Sequence, residues 1–374
     1  MTMILAIFHK IRGCSALSFF LLCLLWAIPS FANSPMRIIC VSSGPLEEFR
    51  STLFGFAREL IHAGVISADT LPSALNEADQ SRQLWLWLAE HTKGSVLFLE
   101  DGFYSADWDD GKRPEIRQTV LQRLTTRQDV DAILVLGTRA GQDISTLPTD
   151  VPVIVASSTN AVEAGITKSV VDSGKNNLLA LVNPWRFLGQ IKFFHTLFPF
   201  RKLGVVYEDT PTGRNVVALK EIEQASATLH VELVRCHTPL HGDAEEVTKR
   251  VVACHYNLLS QGVDAVYLTY NVAMTPEQTR RTLAPLLAKG IPTFSQSGVD
   301  NVKCGALASF VDDSFIEGRY AAQRLLSIMD GILPRALSQK FQSPILIAIN
   351  LGTAALMGWN PPLEILLTVD EFYD

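Results

Sequence analysis

The sequence predicts an α/β protein of two lobes, each a doubly wound parallel sheet. Its 374 residues are more than one hydrophobic core of ordinary size organises, so two lobes are expected. Short runs that are apolar throughout alternate with longer stretches of helical periodicity, the pattern of buried parallel strands joined by right-handed crossovers. The alternation begins at Met36 and starts again near Pro184. Apolar residues make up 48% of the chain and charged residues 19%, which excludes a disordered chain and supplies enough apolar surface for two cores.

The first residues stand outside this pattern. "HKIRGCSALSFFLLCLLWAIPSFANS" has a basic start at Lys10 and Arg12, a greasy stretch over 15–28, then Pro29 and a small-x-small site at Ser30-Phe31-Ala32. That order is a secretory signal peptide over 1–32, with cleavage expected after Ala32. A retained membrane anchor is the alternative, but the greasy stretch of about 14 residues falls short of the ~20 that a span requires. Neither Cys14 nor Cys23 follows the small residues of a lipoprotein site, so no lipid anchor is expected. Removing 1–32 leaves 30 basic residues (32 − 2) against 38 acidic ones, a net charge of −8, which argues against nucleic acid as a partner. Cys40, Cys236, Cys254 and Cys304 remain in an exported, oxidising compartment. Cys236 and Cys254, on a strand end and the next helix, are the pair to test for a disulfide, with buried free thiols as the alternative.

Within the first lobe, "RIICV" (37–41) reads as a strand and 46–63 as a helix, with Leu53, Phe56, Ala57 and Leu60 at helical spacing. A helix over 81–91, the strand "SVLFLE" (95–100), a helix over 116–126 and the strands "AILVLG" (132–137) and "VPVIVAS" (151–157) follow. The segment 63–117 is long for its place, and "DGFYSADWDDGKRPE" reads either as a lid or as an exposed loop. In the second lobe a helix opens at "PWRFLGQIKFFHTLF". Strands at 202–208, 230–236, 264–270 and 291–296 then alternate with helices over 214–228, 244–260 and 276–289. No phosphate-cradling glycine loop, dinucleotide fingerprint or nucleophile elbow interrupts the series, so no cofactor and no catalytic residue is expected.

The stretch "IPTFSQSGVDNVKCGALASFVDDSFIEGRYAAQRLLSIMDGILP", followed by "INLGTAALMGW", resembles the periplasmic substrate-binding proteins of ABC transporters. Within them it is similar to the two-lobed group that includes tryptophan- and tyrosine-type binders. "VDAILVLGTRAGQ", "VPVIVASSTNAVEAG" and "KLGVVYEDTPTGRN" fall in the order of that family's strand-loop units. The resemblance implies a three-crossing hinge near 180–184, 311–314 and 342–344. The lobes are then 35–180 with 312–343, and 181–311 with 344–374. Asp312 and Asp313 become a hinge whose carboxylates cap the helix beginning at Ser314. It also implies a monomer that holds a small solute between its lobes and hands it to a membrane permease. A ligand sensor docking on a membrane kinase or cyclase is the alternative.

Parallel sheets bind ligands at the carboxyl ends of their strands, beside helix N-termini. In the first lobe those ends carry Ser42 and Ser43, Thr138, and Ser157, Ser158 and Asn160. Small hydroxyl residues there suit a carboxylate, against the alternative of ordinary helix capping. In the second lobe Glu208, Asp209, Asn271 and Gln296, with the hinge Asp312, are placed to accept from a ligand amine. Asn271 matches the family pattern. Tyr270 and Glu208-Asp209 depart from it, which puts an ordinary amino-acid ligand in doubt. Trp185 is a candidate to stack on a ring or ammonium group, with Phe103, Tyr104 or Trp108 opposite, or else it packs at the hinge. Arg186 binds an anion or pairs with a surface acid. His237, His241, Cys254 and His255 match no standard zinc spacing, so no metal is expected.

Overall fold

In a computed structural model of the chain, the described residues are 34–374 apart from 69, 73–79, 241, 270–273, 312–313 and 343. The strands are β1 (Met36–Ser42), β2 (Ile66–Ser67), β3 (Lys93–Gly94), β4 (Val96–Ser105), β5 (Ala132–Leu136), β6 (Val153–Ala156), β7 (Leu178–Ala180), β8 (Lys202–Tyr207), β9 (Glu232–His237), β10 (Ala265–Leu268), β11 (Thr293–Ser295), β12 (Ala308–Phe310), β13 (Ile347–Asn350) and β14 (Glu371–Tyr373). The helices are α1 (Glu47–His62), α2 (Gln80–His91), α3 (Arg113–Gln122), α4 (Thr138–Ile144), α5 (Arg186–Leu197), α6 (Pro211–Val216), α7 (Leu219–Leu229), α8 (Ala244–Ser260), α9 (Pro276–Leu287), α10 (Asp300–Lys303), α11 (Ser314–Met329), α12 (Leu351–Leu356) and α13 (Leu363–Leu366).

Two main sheets result, one per lobe: β4-β1-β5-β6-β7 and β14-β13-β12-β11-β10-β8-β9. The first is parallel throughout. β5 explains why: all five of its residues are buried, so both faces need helices, and only crossover connections supply them. One face carries Leu53, Phe56 and Leu60 of α1 with Ala321, Ala322 and Leu325 of α11; the other is covered by Val120, Ile144 and Ile166. The second sheet is parallel except where β13 pairs with β12 antiparallel. The chain leaves this sheet at the Phe310 end of β12, forms α11 over the first, and re-enters beside its exit, where the Val311 amide donates to Leu346 O (2.8 Å), so β13 must run the other way.

After β7 the chain pairs with a later segment where Val182 meets Lys340, closed by the amides of Val182 to Gln339 O (2.9 Å) and Phe341 to Val182 O (2.9 Å). β4 runs to Ser105, five residues past the predicted end. Its pairing with β1 shifts register between Ile38 and Cys40. The displaced segment is held by Trp85 Nε1 on Leu99 O (2.7 Å) and Arg123 Nη1 on Asp101 O (2.9 Å). The single helix expected over 214–228 is two, α6 and α7, broken at Ala218, whose φ of 54° lies in the left-handed region. Cys236 and Cys254 form a disulfide, while Cys40 and Cys304 are buried and outside any disulfide. Among the described residues, no helix is long and apolar enough to cross a membrane.

Candidate functional site

Neighbouring parallel strands end along one edge of their sheet, so the residues just after β1, β5 and β6 emerge side by side. There they line a cavity of about 100 Å³ with walls from both lobes. The first lobe contributes Ser43, Leu46, Glu48, Phe49, Trp108, Thr138, Arg139, Ser157, Ser158, Thr159, Ser314 and Glu317. The second adds Arg186, Phe187, Val216 and Gln296. The first turns of α1, α4, α5 and α11 all reach this cavity. At the starts of α1 and α5 the cap residues, Leu46 and Trp185, make no side-chain capping bond, and the amides of Phe49 and Arg186 donate instead to the carbonyls of Leu46 (3.1 Å) and Asn183 (3.4 Å). Four helix N-termini bring partial positive charge to one place, reinforced by Arg139 and Arg186. Glu48 and Glu317 set negative charge beside it, and Phe49, Trp108 and Phe187 add aromatic wall.

The cavity's polar groups are tied down from behind. Ser43 Oγ donates to Leu136 O (3.3 Å) and accepts from the Ala140 amide (3.1 Å), so it caps α4. Thr138 Oγ1 accepts from the Thr159 amide (3.1 Å), joining two strand-end loops. Ser157 has a left-handed φ of 54°; its amide donates to Glu317 Oε1 (2.8 Å) and its hydroxyl pairs with Thr52 Oγ1 (2.8 Å). A buried carboxylate of α11 thus orients the loop that follows β6. Ser158 differs: its Oγ is buried and has no hydrogen-bond partner among the described residues. A buried hydroxyl left without a partner is a polar group that calls for an explanation.

Of the residues named from sequence, Ser43, Thr138, Ser157, Ser158 and Gln296 come together here. Ser42 does not: it is buried behind the turn, its Oγ donating to Gly44 O (2.9 Å). Trp185 does not line this cavity either, and its placement fits the alternative of packing at the hinge. It is 65% exposed and lies in a separate groove with Phe310, Gln342 and Pro344, while Arg186 and Phe187, one and two residues on, point to the cavity. Of its three suggested partners only Trp108 lines the cavity. Phe103 packs near Trp85, and Tyr104 OH accepts from Arg123 (2.9 Å). Asn160 and Asp209 lie in a second cavity of about 510 Å³. There Asn160 Oδ1 accepts from the amides of Val162 (3.1 Å) and Glu163 (3.0 Å), which aims its Nδ2 across the lobes at Glu221. Burial raises the Glu221 carboxyl above its ordinary value. Lys220 pairs with Glu163 in the same place, and Asp209 with Arg214 (2.6 Å). Glu208 accepts from the Leu240 amide (3.4 Å) and lines neither cavity. Asn271 and Asp312 lie outside the described residues, as do Tyr270, Asp313 and His241.

Of the residues considered for zinc, His237, Cys254 and His255 have other partners. His237 Nε2 meets Tyr207 OH (2.9 Å), Cys254 is in the disulfide, and His255 Nδ1 bonds Thr282 O (2.7 Å). Burial pushes His255 down to about 4.

A two-lobed α/β molecule with its polar cavity at strand ends between the lobes is an architecture that solute-binding proteins share with other ligand-binding proteins. Residues 109–371 match the family model described as "ABC transporter substrate binding protein", and the chain belongs to that family, whose members bind substrates. No curated protein matches. Among solved structures, a conserved domain protein from Vibrio cholerae is 17% identical, with 91% of this chain and 100% of that one covered and a TM-score of 0.68. An ABC domain from Streptococcus pneumoniae in complex with L-Trp is also 17% identical over 91% and 100%, with a TM-score of 0.67. A solute-binding protein of an R. palustris ABC transporter in complex with 4-hydroxybenzoate is 12% identical over 84% and 93%, at 0.55. These likenesses share the fold, a type I periplasmic binding protein.

Proposed function

We propose that this protein is the periplasmic solute-binding component of an ABC uptake transporter, exported by a cleaved signal peptide over 1–32 and working with an inner-membrane permease and its ATPase. The solute is small and carries a carboxylate, with an aromatic ring or an amine as its other determinant. The observation that carries this reading is the unpartnered Ser158 hydroxyl in a cavity ringed by four helix N-termini and two arginines. Thr138, Ser157 and Ser158 border the carboxylate, with Ser43 and Gln296 completing the polar wall. Glu48 and Glu317 suit an amine. Family membership and the ligands named for the L-Trp and 4-hydroxybenzoate complexes support the reading. A micromolar dissociation constant needs about −8 kcal/mol net. One anion cradle and one buried ring supply that after the cost of closing the lobes.

The test is a thermal-shift panel on the mature protein with aromatic amino acids, nucleobases, thiamine-like rings and small organic acids. A bound solute at 100 times its dissociation constant stabilises the fold by about 2.7 kcal/mol. A melting temperature that no anionic or zwitterionic compound moves rejects the proposal.

A further inference from the structure

Trp108 is held in an unusual way. Asp107 and Trp108 both adopt left-handed backbone, with φ of 52° and 63°, and neither is glycine. Such residues persist only where surrounding bonds over-determine them, and here the bonds are present. Asp107 accepts from Ser105 Oγ (2.7 Å) and Lys112 Nζ (2.8 Å), while the Trp108 amide donates to Ser43 O (3.0 Å). The turn folds the indole back over the β1–α1 loop. At Gly44 a Cβ would sit 2.7 Å from three atoms of the ring, so only glycine allows the indole to rest there. The indole N–H is used up on Pro45 O (3.1 Å), and Phe49 flanks the ring at 6.0 Å between centroids. The ring therefore meets the cavity with π surface and no free donor. Beside it stands Arg139, whose Nη1 bonds Asp110 Oδ1 (3.1 Å).

We infer that Trp108 is the specificity-determining platform of the cleft and selects solutes with a planar, conjugated ring carried next to an anionic group. The inference rests on the cleft being the ligand site and deepens that reading. Stacking on an indole rewards a flat π system over a saturated ring of equal size and charge. The neighbouring guanidinium and helix N-termini fix the anion, so the ring's position relative to the charge is set as well.

Isothermal titration with two matched pairs tests it: L-phenylalanine against L-cyclohexylalanine, and 4-hydroxybenzoate against 4-hydroxycyclohexanecarboxylate. The mature protein is expected to favour the flat member of at least one pair by about two- to tenfold. That ratio is expected to fall to near one in Trp108→Leu and to survive in Trp108→Phe. A merely structural Trp108 weakens both members together and leaves the ratio in place. Gly44→Ala lifts the ring off its seat without removing it and covers the case in which Trp108→Leu does not fold; its ratio is also expected to fall. Equal affinity for flat and saturated members in the unaltered protein overturns the inference, as does a ratio unchanged in Trp108→Leu or Gly44→Ala. If no compound of either pair binds the unaltered protein, the carboxylate-binding reading of the cleft falls along with the inference.

Discussion

Replacing Gly318 with alanine tests how the cleft is anchored, and the sign of the effect is decisive. Gly318 lies in the first turn and a half of α11, where the helix crosses α1. A Cβ built there meets Thr52 O at 1.9 Å, Thr52 C at 2.7 Å and the Phe56 amide nitrogen at 2.9 Å. Across the same crossing a Cβ on Gly55 meets Phe315 O at 2.0 Å. Ordinary contact begins at 3.4 Å, so the two helices must separate by 1.5 Å (3.4 − 1.9). No side chain can swing away, because the obstructing atoms are backbone. Separation opens the packing of Ala321, Ala322 and Leu325 against Leu53, Phe56 and Leu60, all 1% exposed or less. Overpacking of this kind costs about 3 kcal/mol, the upper end of its range, since backbone must yield. Alanine's helix propensity returns about 1 kcal/mol. The net loss is about 2 kcal/mol, or a melting temperature lower by about 3 °C in a chain this long. Gly189 is the internal control. It lies within α5 and its Cβ would meet only a Phe310 ring atom at 3.9 Å, so Gly189→Ala is expected to raise stability by up to about 1 kcal/mol. Urea or thermal unfolding of both variants reads the difference. A Gly318→Ala protein as stable as the unaltered one, or more so, refutes the close-crossing argument.

Three further outcomes follow from the same structure. His255 is held neutral at about 4 by burial, against about 6.5 when unfolded. Below pH 6.5 the unfolded chain takes up a proton that the folded one refuses, so stability falls as pH drops from 6.5 to 4 and levels off below. The contribution is about 3 kcal/mol, and unfolding of His255→Gln across this window should show a flatter pH dependence by that amount. Replacing Cys236 and Cys254 by serine opens a loop of 18 residues and is expected to cost about 3 kcal/mol in urea unfolding; a loss under about 0.5 kcal/mol contradicts the pairing. Arg123, with 2% of its side chain exposed, bonds Asp129 through Nε (3.1 Å), and Tyr104 OH and Asp101 through its other nitrogens. Burial lowers its pKa and these hydrogen bonds more than restore it. Arg123→Met should cost about 2–3 kcal/mol, below the range for fully buried pairs because Asp101 stays largely solvated; an unfolding midpoint that does not move refutes this.

The strands were legible in the sequence because burial on both faces leaves an unbroken apolar run. "AILVLG" and "RIICV" have no other reading in a globular chain, and they became β5 and the heart of β1. β4 was cut short for the opposite reason. Its middle, Glu100-Asp101-Gly102, is polar because the register shift turns it away from the core, and its anchors Trp85 and Arg123 are 17 and 21 residues away from Gly102 in either direction. The break between α6 and α7 falls at Val217-Ala218, where no glycine, proline or polar residue announces it, and the left-handed Ala218 has no sequence signal.

The same division runs through the cleft. Ser43, Thr138, Ser157, Ser158 and Gln296 could be named because a parallel sheet delivers every strand end to one edge, whatever the loops do next. Residues on helix starts obey a finer rule. One step along a helix turns a side chain by about 100°, so a start displaced by a single residue exchanges Trp185 for Arg186 and Phe187 at the cavity wall. Pairings across the fold are finer still. The Ser157 amide finds its acceptor in Glu317, 160 residues later, and the Asn160 amide finds Glu221 in the other lobe. Composition near Ser157 says nothing of Glu317; only the α1–α11 crossing at Gly55 and Gly318 brings it there. The two glycines that allow that crossing therefore control the geometry of the loop after β6, although neither lines the cavity.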